Sequence, residues 1–179
     1  MLDCISHPLT FPKYSSVKHL EKQGNYALSK YYFYPFRWFY RHKVRMIAQA
    51  LRGKRFKSIA DFGSGPGLMT QEWSKYADKI YLIDEKHKEL PKVDMTICAS
   101  VMEFVPLNET FEKLAEFTKE IIVASPMKTA FSWSYFTLIN DNHKRHSHQE
   151  ITAEMTRYFS VNYNKEWAGL YFCARGMKR

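Results

Sequence analysis

Between Ile59 and Met69 the chain reads IADFGSGPGLM, an acid at Asp61 followed by Gly63, Gly65 and Gly67 at alternate positions. The apolar run ahead of the glycines reads as a strand. A turn with so little side chain lets a ligand approach the backbone and aims N–H groups into the cleft at the strand ends. The spacing is G-x-G-x-G, not the G-x-G-x-x-G that holds a dinucleotide pyrophosphate. A carboxylate two residues before the first glycine disfavours a phosphate and suits a ligand that carries an ammonium group. A second acid, Asp84, closes the apolar run KIYLID, where a strand-end carboxylate can accept both hydroxyls of a ribose. Farther on, NDNHKRHSHQE contains His143, His146 and His148. Side chains of this type titrate near neutrality and can take a proton from an acceptor, although a solvated polar loop is the plainer reading. As a metal set the histidines lack a carboxylate or thiolate partner at recognisable spacing, so no metal is expected.

These residues need a frame. From Pro35, apolar side chains fall at Phe36, Tyr40, Val44, Ile47 and Leu51, with Arg37, Arg41, Lys43 and Arg45 between them. This predicts an amphipathic helix whose basic residues form a solvent-facing rim. Pro35 suits its first position, and Gly53 the left-handed residue past its end. The preceding NYALSKYYFY can form another short helix that the proline interrupts. FKSIADFG reads as a buried strand, GLMTQEWSKYA as a helix and KIYLID as a second strand, which makes a βαβ unit with parallel strands. MTICASVMEFV contains a third strand, ETFEKLAEFTKE a helix, and IIVASP a fourth strand stopped by Pro126. The alternation predicts an α/β fold with a Rossmann-like, doubly wound sheet. Ser147 and Glu150 have capping-box spacing, so a helix should start near His148 and run to about Tyr158. FSVNYNKEW and GLYFCARG then predict a hairpin turning at Trp167 to Gly169, which sets an antiparallel C-terminal strand against an otherwise parallel sheet. One domain over residues 1–179 is expected, with 1–34 as a cap or lid and 35–179 as the α/β core.

With their order and spacing, IADFGSGPG and YLID resemble the first two motifs of the class I S-adenosylmethionine-dependent methyltransferases. VDMTICASVMEFVP resembles that family's fourth strand and the loop after it, EIIVASP its fifth strand, and EWAGLYFCARG its antiparallel last strand, so the likeness runs from Phe56 to Gly176. The resemblance implies methyl transfer with S-adenosyl-L-methionine as cofactor. It implies that Gly63, Ser64, Gly65 and Gly67 line the methionine part, that Asp61 holds the amino group through water, and that Asp84 takes the ribose. By the same likeness Glu85 lies near the adenine edge, and Ala99 and Ser100 touch the methionine moiety. Likeness to small-molecule members, in which an Asn-His precedes the late helix, implies His143 as base or acceptor ligand. Glu103 follows the fourth strand, but Phe104 stands where the family often has a histidine, so no base is expected there.

One departure from the family bears on adenine. After the second strand the family has a helix, a third strand and a further acid that bonds the adenine amino group. Here only EKHKELPK, Glu85 to Lys92, intervenes. Its eight residues reach about 27 Å at about 3.4 Å per residue, enough for one nearly extended crossing. A crossover with its own helix takes at least about 10 to 12 residues. The third strand is therefore expected to be missing, one sheet face to be barer than usual, and adenine to be recognised from elsewhere, with the aromatic N-terminal segment as a candidate cover.

Composition bounds the partners. A chain of 179 residues that is 45% hydrophobic can bury one core of ordinary domain size. The net charge of +9 attracts polyanions, acidic metabolites or anionic lipid surfaces and is equally compatible with plain solubility. There is no Asn-Pro-Pro-Tyr motif for base methylation, no Lys-Asp-Lys-Glu set for ribose methylation and no appended RNA-binding module, which favours a small-molecule, glycan or lipid-linked acceptor. Tyr31, Tyr32, Phe33, Tyr34, Phe36, Trp38, Phe39 and Tyr40, interleaved with Lys30, Arg37 and Arg41, keep a nucleic-acid acceptor open, and also peripheral contact with lipid headgroups. A methyltransferase-like partner subunit without catalysis is the remaining class, against which Gly63, Gly65 and Asp84 speak. No apolar run reaches membrane length and the N-terminus lacks a signal-peptide pattern, so a cytoplasmic location is expected. Cys4, Cys98 and Cys173 have no C-x-x-C spacing and read as reduced core thiols.

Overall fold

The computed structural model describes residues 32–33, 36–65, 67–83, 90–129 and 146–179. Asp84, Glu85, His143, Cys4 and the proposed cap up to Tyr31 lie outside the described residues. Helix α1, Phe36–Leu51, buries Val44, Ile47 and Leu51 completely and leaves Arg37 and Trp38 exposed. Gly53 follows it with φ +73, in open space, as a left-handed helix terminator should. Lys43 departs from the expected basic rim, for it is only 1% exposed. Its place in the helix explains this: it stands three residues after Tyr40 and four before Ile47, a spacing that puts it on the buried stripe.

The strands are β1 Phe56–Phe62, β2 Ala77–Ile83, β3 Val93–Ala99, β4 Thr118–Pro126, β5 Phe159–Trp167 and β6 Tyr171–Lys178. Helix α2, Thr70–Trp73, connects β1 to β2; α3, Leu107–Phe117, leads into β4; α4, His148–Tyr158, leads into β5. They form one sheet in the order β2-β1-β3-β4-β6-β5. β1, β2, β3 and β4 are mutually parallel, and β6 is antiparallel to both of its neighbours. Among the described residues no strand lies outside β2, and none intervenes between β2 and β3.

Helix α2 is shorter than GLMTQEWSKYA suggests, one turn of four residues followed by a 3-10 turn, Ser74–Tyr76. The glycine turn still occupies the chain at Gly67, with φ +71, and Ala77 must already stand opposite Phe56 to open β2. Too little chain lies between for further turns. The late elements follow the expectation. Ser147 Oγ accepts from the Glu150 N–H at 3.1 Å, and Glu150 Oε2 from the Ser147 N–H at 2.6 Å, a closed capping box worth about 1 kcal/mol. Ala168 and Gly169, at φ +49 and +64, carry the chain from β5 to β6 with two successive left-handed residues, which suits the twist of a hairpin.

Alternation along the strands feeds two cores. Ile59, Met95, Ile97, Ile122, Tyr171 and Cys173 face α1 and Trp73. Ala60, Cys98, Ile121, Val123, Phe172 and Ala174 face α3 and α4. Cys98 and Cys173 are free thiols, one in each core. Ion pairing ties α1 to the middle of the sheet: Arg175 on β6 grips Glu120 on β4 and donates to the carbonyl of Ala50 at 2.9 Å. None of the described helices is long and apolar enough to cross a membrane.

Candidate functional site

β1 sits between β2 and β3, so the chain builds first to one side of β1 and then to the other. At such a switch point a crevice opens beyond the carboxyl ends of the two inner strands. Asp61 is in register with Ile97 and Phe62 with Cys98, and the turns that begin at Gly63 and Ser100 therefore leave the sheet side by side.

Gly63, Gly65 and Gly67 all have positive φ, between +53 and +72. At Gly63 a second constraint operates, because a Cβ would stand 2.7 Å from Cγ2 of Val101. The N–H groups of Gly63 and Ser64 both donate to the Ile83 carbonyl, at 2.8 and 3.3 Å, and that of Gly67 to the Ser64 carbonyl at 3.0 Å. These three donors are engaged within the turn and with the end of β2. The four-residue α2 contributes little dipole.

Asp61 lies on the α1 side of β1 and is 1% exposed. The Thr70 hydroxyl donates to its Oδ2 at 2.5 Å. Burial pushes its carboxyl up to about 6, while the Thr70 bond, the nearby Trp73 indole and the Lys43 ammonium pull the other way. The indole N–H, itself buried, closes no hydrogen bond. Lys43 extends from α1 to the same strand ends and donates from Nζ to Oγ of Ser100 at 2.6 Å. The rings of Tyr40 and Tyr171 flank the ammonium at 5.7 and 6.0 Å, within cation–π range. Ser100 itself has φ +59, a conformation that costs a non-glycine residue about 1 to 2 kcal/mol. Its N–H is held by the Ala124 carbonyl at 2.8 Å.

Beyond β3 and β4 lies a second polar group. Glu103, 2% exposed, accepts from the Ser125 hydroxyl at 2.7 Å, and its carbonyl accepts from the His146 N–H at 3.3 Å. Nε2 of His146 lies 3.1 Å from the Val105 carbonyl, which fixes the ring proton on that nitrogen. His148 begins α4 with Nε2 3.7 Å from Glu166. Its ring lies beside Phe172, with Nδ1 buried and unbonded.

Of the residues expected at the cofactor, the structure brings Asp61, Gly63, Ser64, Gly65, Gly67, Ala99 and Ser100 to the adjoining carboxyl ends of β1 and β3. Asp84 and Glu85, beyond the end of β2, lie outside the described residues, as does His143. Lys43 and Thr70, which bond Ser100 and Asp61, were not anticipated; nor was the pairing of Glu103, set aside as a base, with Ser125. For Lys43 the helical period carried the signal, since its spacing from Tyr40 and Ile47 matches the apolar stripe. Thr70 and Ser125 have no local signature; only the fold brings them to Asp61 and Glu103.

No family model matches the sequence, and no curated protein matches it. Solved structures do match its fold. The N-methyltransferase NodS from Bradyrhizobium japonicum, in complex with S-adenosyl-L-homocysteine, superposes with a TM-score of 0.60 at 9% identity over 92% of this chain and 97% of that one. A SAM-dependent methyltransferase from Aquifex aeolicus gives 0.60 at 12% identity over 90% and 98%. The magnesium protoporphyrin IX methyltransferase from Synechocystis, with bound S-adenosyl-L-homocysteine, gives 0.59 at 10% identity over 93% and 96%. The chain has a class I methyltransferase-like fold, Rossmann-like with an antiparallel C-terminal strand.

Proposed function

We propose that the protein is an S-adenosyl-L-methionine-dependent methyltransferase acting on a small-molecule, glycan or lipid-linked acceptor. The observation that carries this reading is Asp61, a buried carboxylate beside a left-handed glycine turn at the switch point of a methyltransferase-like sheet. A carboxylate raised to about 6 by burial gains most from a cation placed against it, and the amino group of the cofactor is such a cation. Gly63, Ser64, Gly65 and Gly67 would line its methionine part, Ala99 and Ser100 the same moiety from the β3 side, Asp84 the ribose and Glu85 the adenine edge.

When bound, S-adenosyl-L-methionine supplies a methyl group on a sulfonium whose charge already activates it, so the protein's contribution is positioning and exclusion of water. Ser100, held by Lys43 and the Ala124 carbonyl, would present a fixed surface to the methionine moiety. His143 would serve as base or acceptor ligand, needed only if the acceptor must lose a proton. Residues 1–34 would form the cap over the cofactor and 35–179 the single core domain. A cytoplasmic protein with at most peripheral membrane contact fits this reading.

One observation favours a second acceptor class. Trp38, 52% exposed, packs edge-on to Trp167, and His42 stacks on the same indole at 4.1 Å. Burial, with Arg45 and Lys165 adding to it, pushes the His42 imidazole down to about 4. Such a basic aromatic platform suits the stacked bases of a nucleic acid. A non-catalytic partner subunit is the third reading. Titration of wild type and Asp84→Ala with S-adenosyl-L-homocysteine in a calorimeter separates this third reading from the two methyltransferase readings. The expected result is wild-type binding that weakens at least tenfold in the variant, since two charge-assisted ribose bonds at about 1.5 to 3 kcal/mol each are lost. No binding by wild type would favour the non-catalytic subunit, and unchanged affinity in the variant would undo the ribose assignment.

A further inference from the structure

The proposed cofactor, whose sulfonium and ammonium outweigh its one carboxylate, does not account for a chain with a net charge of +9. Part of that surplus is gathered at the end of the sheet remote from the glycine turn. Lys54, Arg55, Lys57 and Lys119 line a cavity of about 400 Å³ together with Phe56, Asp94 and Glu120, at the amino ends of β1, β3 and β4. β1 is seven residues long, which at about 3.3 Å per residue puts this cavity roughly 20 Å from the turn. Its two carboxylates are already committed. Asp94 accepts from Lys119 Nζ at 2.7 Å and from the Lys57 N–H at 3.1 Å, and Glu120 is gripped by Arg175, itself 5% exposed. The cations are freer. Lys57 is exposed, and its ammonium enters no ion pair or hydrogen bond among the described residues. Lys54 stands 3.9 Å from Glu120, a carboxylate that Arg175 already holds. Arg55 pairs with Asp78, and both side chains are more than half exposed, so the bond is worth little and the guanidinium can take another partner.

We propose that this cavity binds a small molecule that carries two adjoining phosphoryl groups, at a site separate from that of methyl transfer and independent of its assignment. Lys54 and Arg55 precede β1, Lys57 lies on β1, and Lys119 lies on β4, with β3 between them. At about 4.8 Å per strand the donors are spread over roughly 10 Å, too wide for one phosphate and suited to a pair. Lys54 and Lys57 supply charge that no carboxylate of the cavity claims for itself. Lys119 keeps donors beyond the one given to Asp94, since an ammonium has three, and Arg55 brings the planar fork that suits phosphate oxygens. A nucleic-acid backbone fits less well, because it calls for a continuous stripe of one sign, and Asp78 and Asp94 interrupt this one. The aromatic platform could not serve the same strand either, for Trp167 closes β5, which runs parallel to β4, and so stands at the opposite end of the sheet.

Calorimetry of the full chain with inorganic pyrophosphate, at low salt and without divalent metal, tests this. One pyrophosphate per chain is expected to bind, and Lys54→Gln combined with Lys57→Gln should weaken it at least tenfold. Arg37→Gln combined with Lys128→Gln removes the same charge outside the cavity and should change the affinity less than threefold. All four positions are exposed, so both double variants should melt at the wild-type temperature. Saturating S-adenosyl-L-homocysteine should leave pyrophosphate binding as it was. ADP bound as well as pyrophosphate points to a nucleotide as the source and ADP excluded points to the free anion; the diphosphate chemistry stands in both. A wild type that does not bind pyrophosphate overturns the proposal, as does full affinity in the Lys54/Lys57 variant. An equal loss in the Arg37/Lys128 variant overturns it too, by reducing the effect to overall charge. Competition with S-adenosyl-L-homocysteine would move the anion into the cofactor site, and tight poly(U) binding through Lys54 and Lys57 that pyrophosphate does not displace would give this end to a nucleic acid; either result sinks the proposal. None of these outcomes removes the methyltransferase reading, which binding of S-adenosyl-L-homocysteine tests by itself.

Discussion

Asp61→Asn should make the protein more stable and less able to bind its cofactor. The folded state raises the Asp61 carboxyl from 3.8 to about 6, so between those values the folded protein holds a proton that the unfolded chain releases. The stability conferred by the neutral form is therefore complete below about pH 4 and is lost as the pH rises through about 6. A shift of roughly two units corresponds to about 3 kcal/mol at most. Asparagine mimics the neutral acid and keeps an oxygen for the Thr70 hydroxyl, which now donates at 2.5 Å. The expected difference in unfolding free energy, variant minus wild type, is near zero at pH 4, rises toward pH 6 and levels at about 1 to 3 kcal/mol by pH 8. Guanidinium denaturation of both proteins at several pH values measures it, and taking the difference cancels the other titrating groups. Calorimetry at pH 8 should show S-adenosyl-L-homocysteine bound at least tenfold more weakly by the variant. A variant no more stable than wild type at pH 8 would refute the desolvation argument. Unchanged cofactor affinity would refute the placement of the ammonium against Asp61.

Gly63→Ala adds a Cβ 2.7 Å from Val101 at φ +72; strain of about 1 to 2 kcal/mol from the backbone alone should lower the denaturation midpoint, and pairing it with Val101→Ala should recover only the steric part. Changing Arg37, Arg41, Arg45 and Lys165 together to Gln tests the basic aromatic platform. The expected outcome is little change in a weak, shallow salt dependence of RNA binding, whereas loss of a steep one, about 0.7 to 0.9 in slope per phosphate, would promote the nucleic-acid reading.

The sheet was legible because its signals are local. Apolar runs ended by Gly63, Asp84 and Pro126 mark strands, the Ser147–Glu150 pair marks a helix start, and nine residues between Ile83 and Val93 leave no length for another helix and strand. Helix α2 was misjudged in extent because a periodic pattern does not reveal where the next strand must begin, and the register of Phe56 with Ala77 decides that. At the site, Asp61 and the glycines were legible as neighbours in sequence. Lys43 was read as one more member of a basic rim because charge outweighed period, although its spacing from Tyr40 and Ile47 put it inside. The Thr70–Asp61 and Ser125–Glu103 bonds join residues whose meeting depends on turn conformation and strand order, which no pattern along the chain encodes.

The placement of β2 at the margin of the sheet carries a cost of another kind. A marginal strand offers one row of backbone donors and acceptors to any chain that can lie alongside it, and a second copy of the same protein is the nearest candidate. Leu82 on this strand is 47% exposed, which adds an apolar incentive. Against it stand Asp78, paired with Arg55, and Lys79, whose ammonium lies 4.5 Å over Tyr81, charges that a docking strand would have to strip of water. The net charge of +9 acts in the same direction at longer range, since like-charged copies repel over about a Debye length, 8 to 10 Å at moderate salt. Concentrated salt shortens that range and should favour self-association along β2, so the surplus of basic residues serves as a colloidal safeguard for the strand that ends the sheet among the described residues.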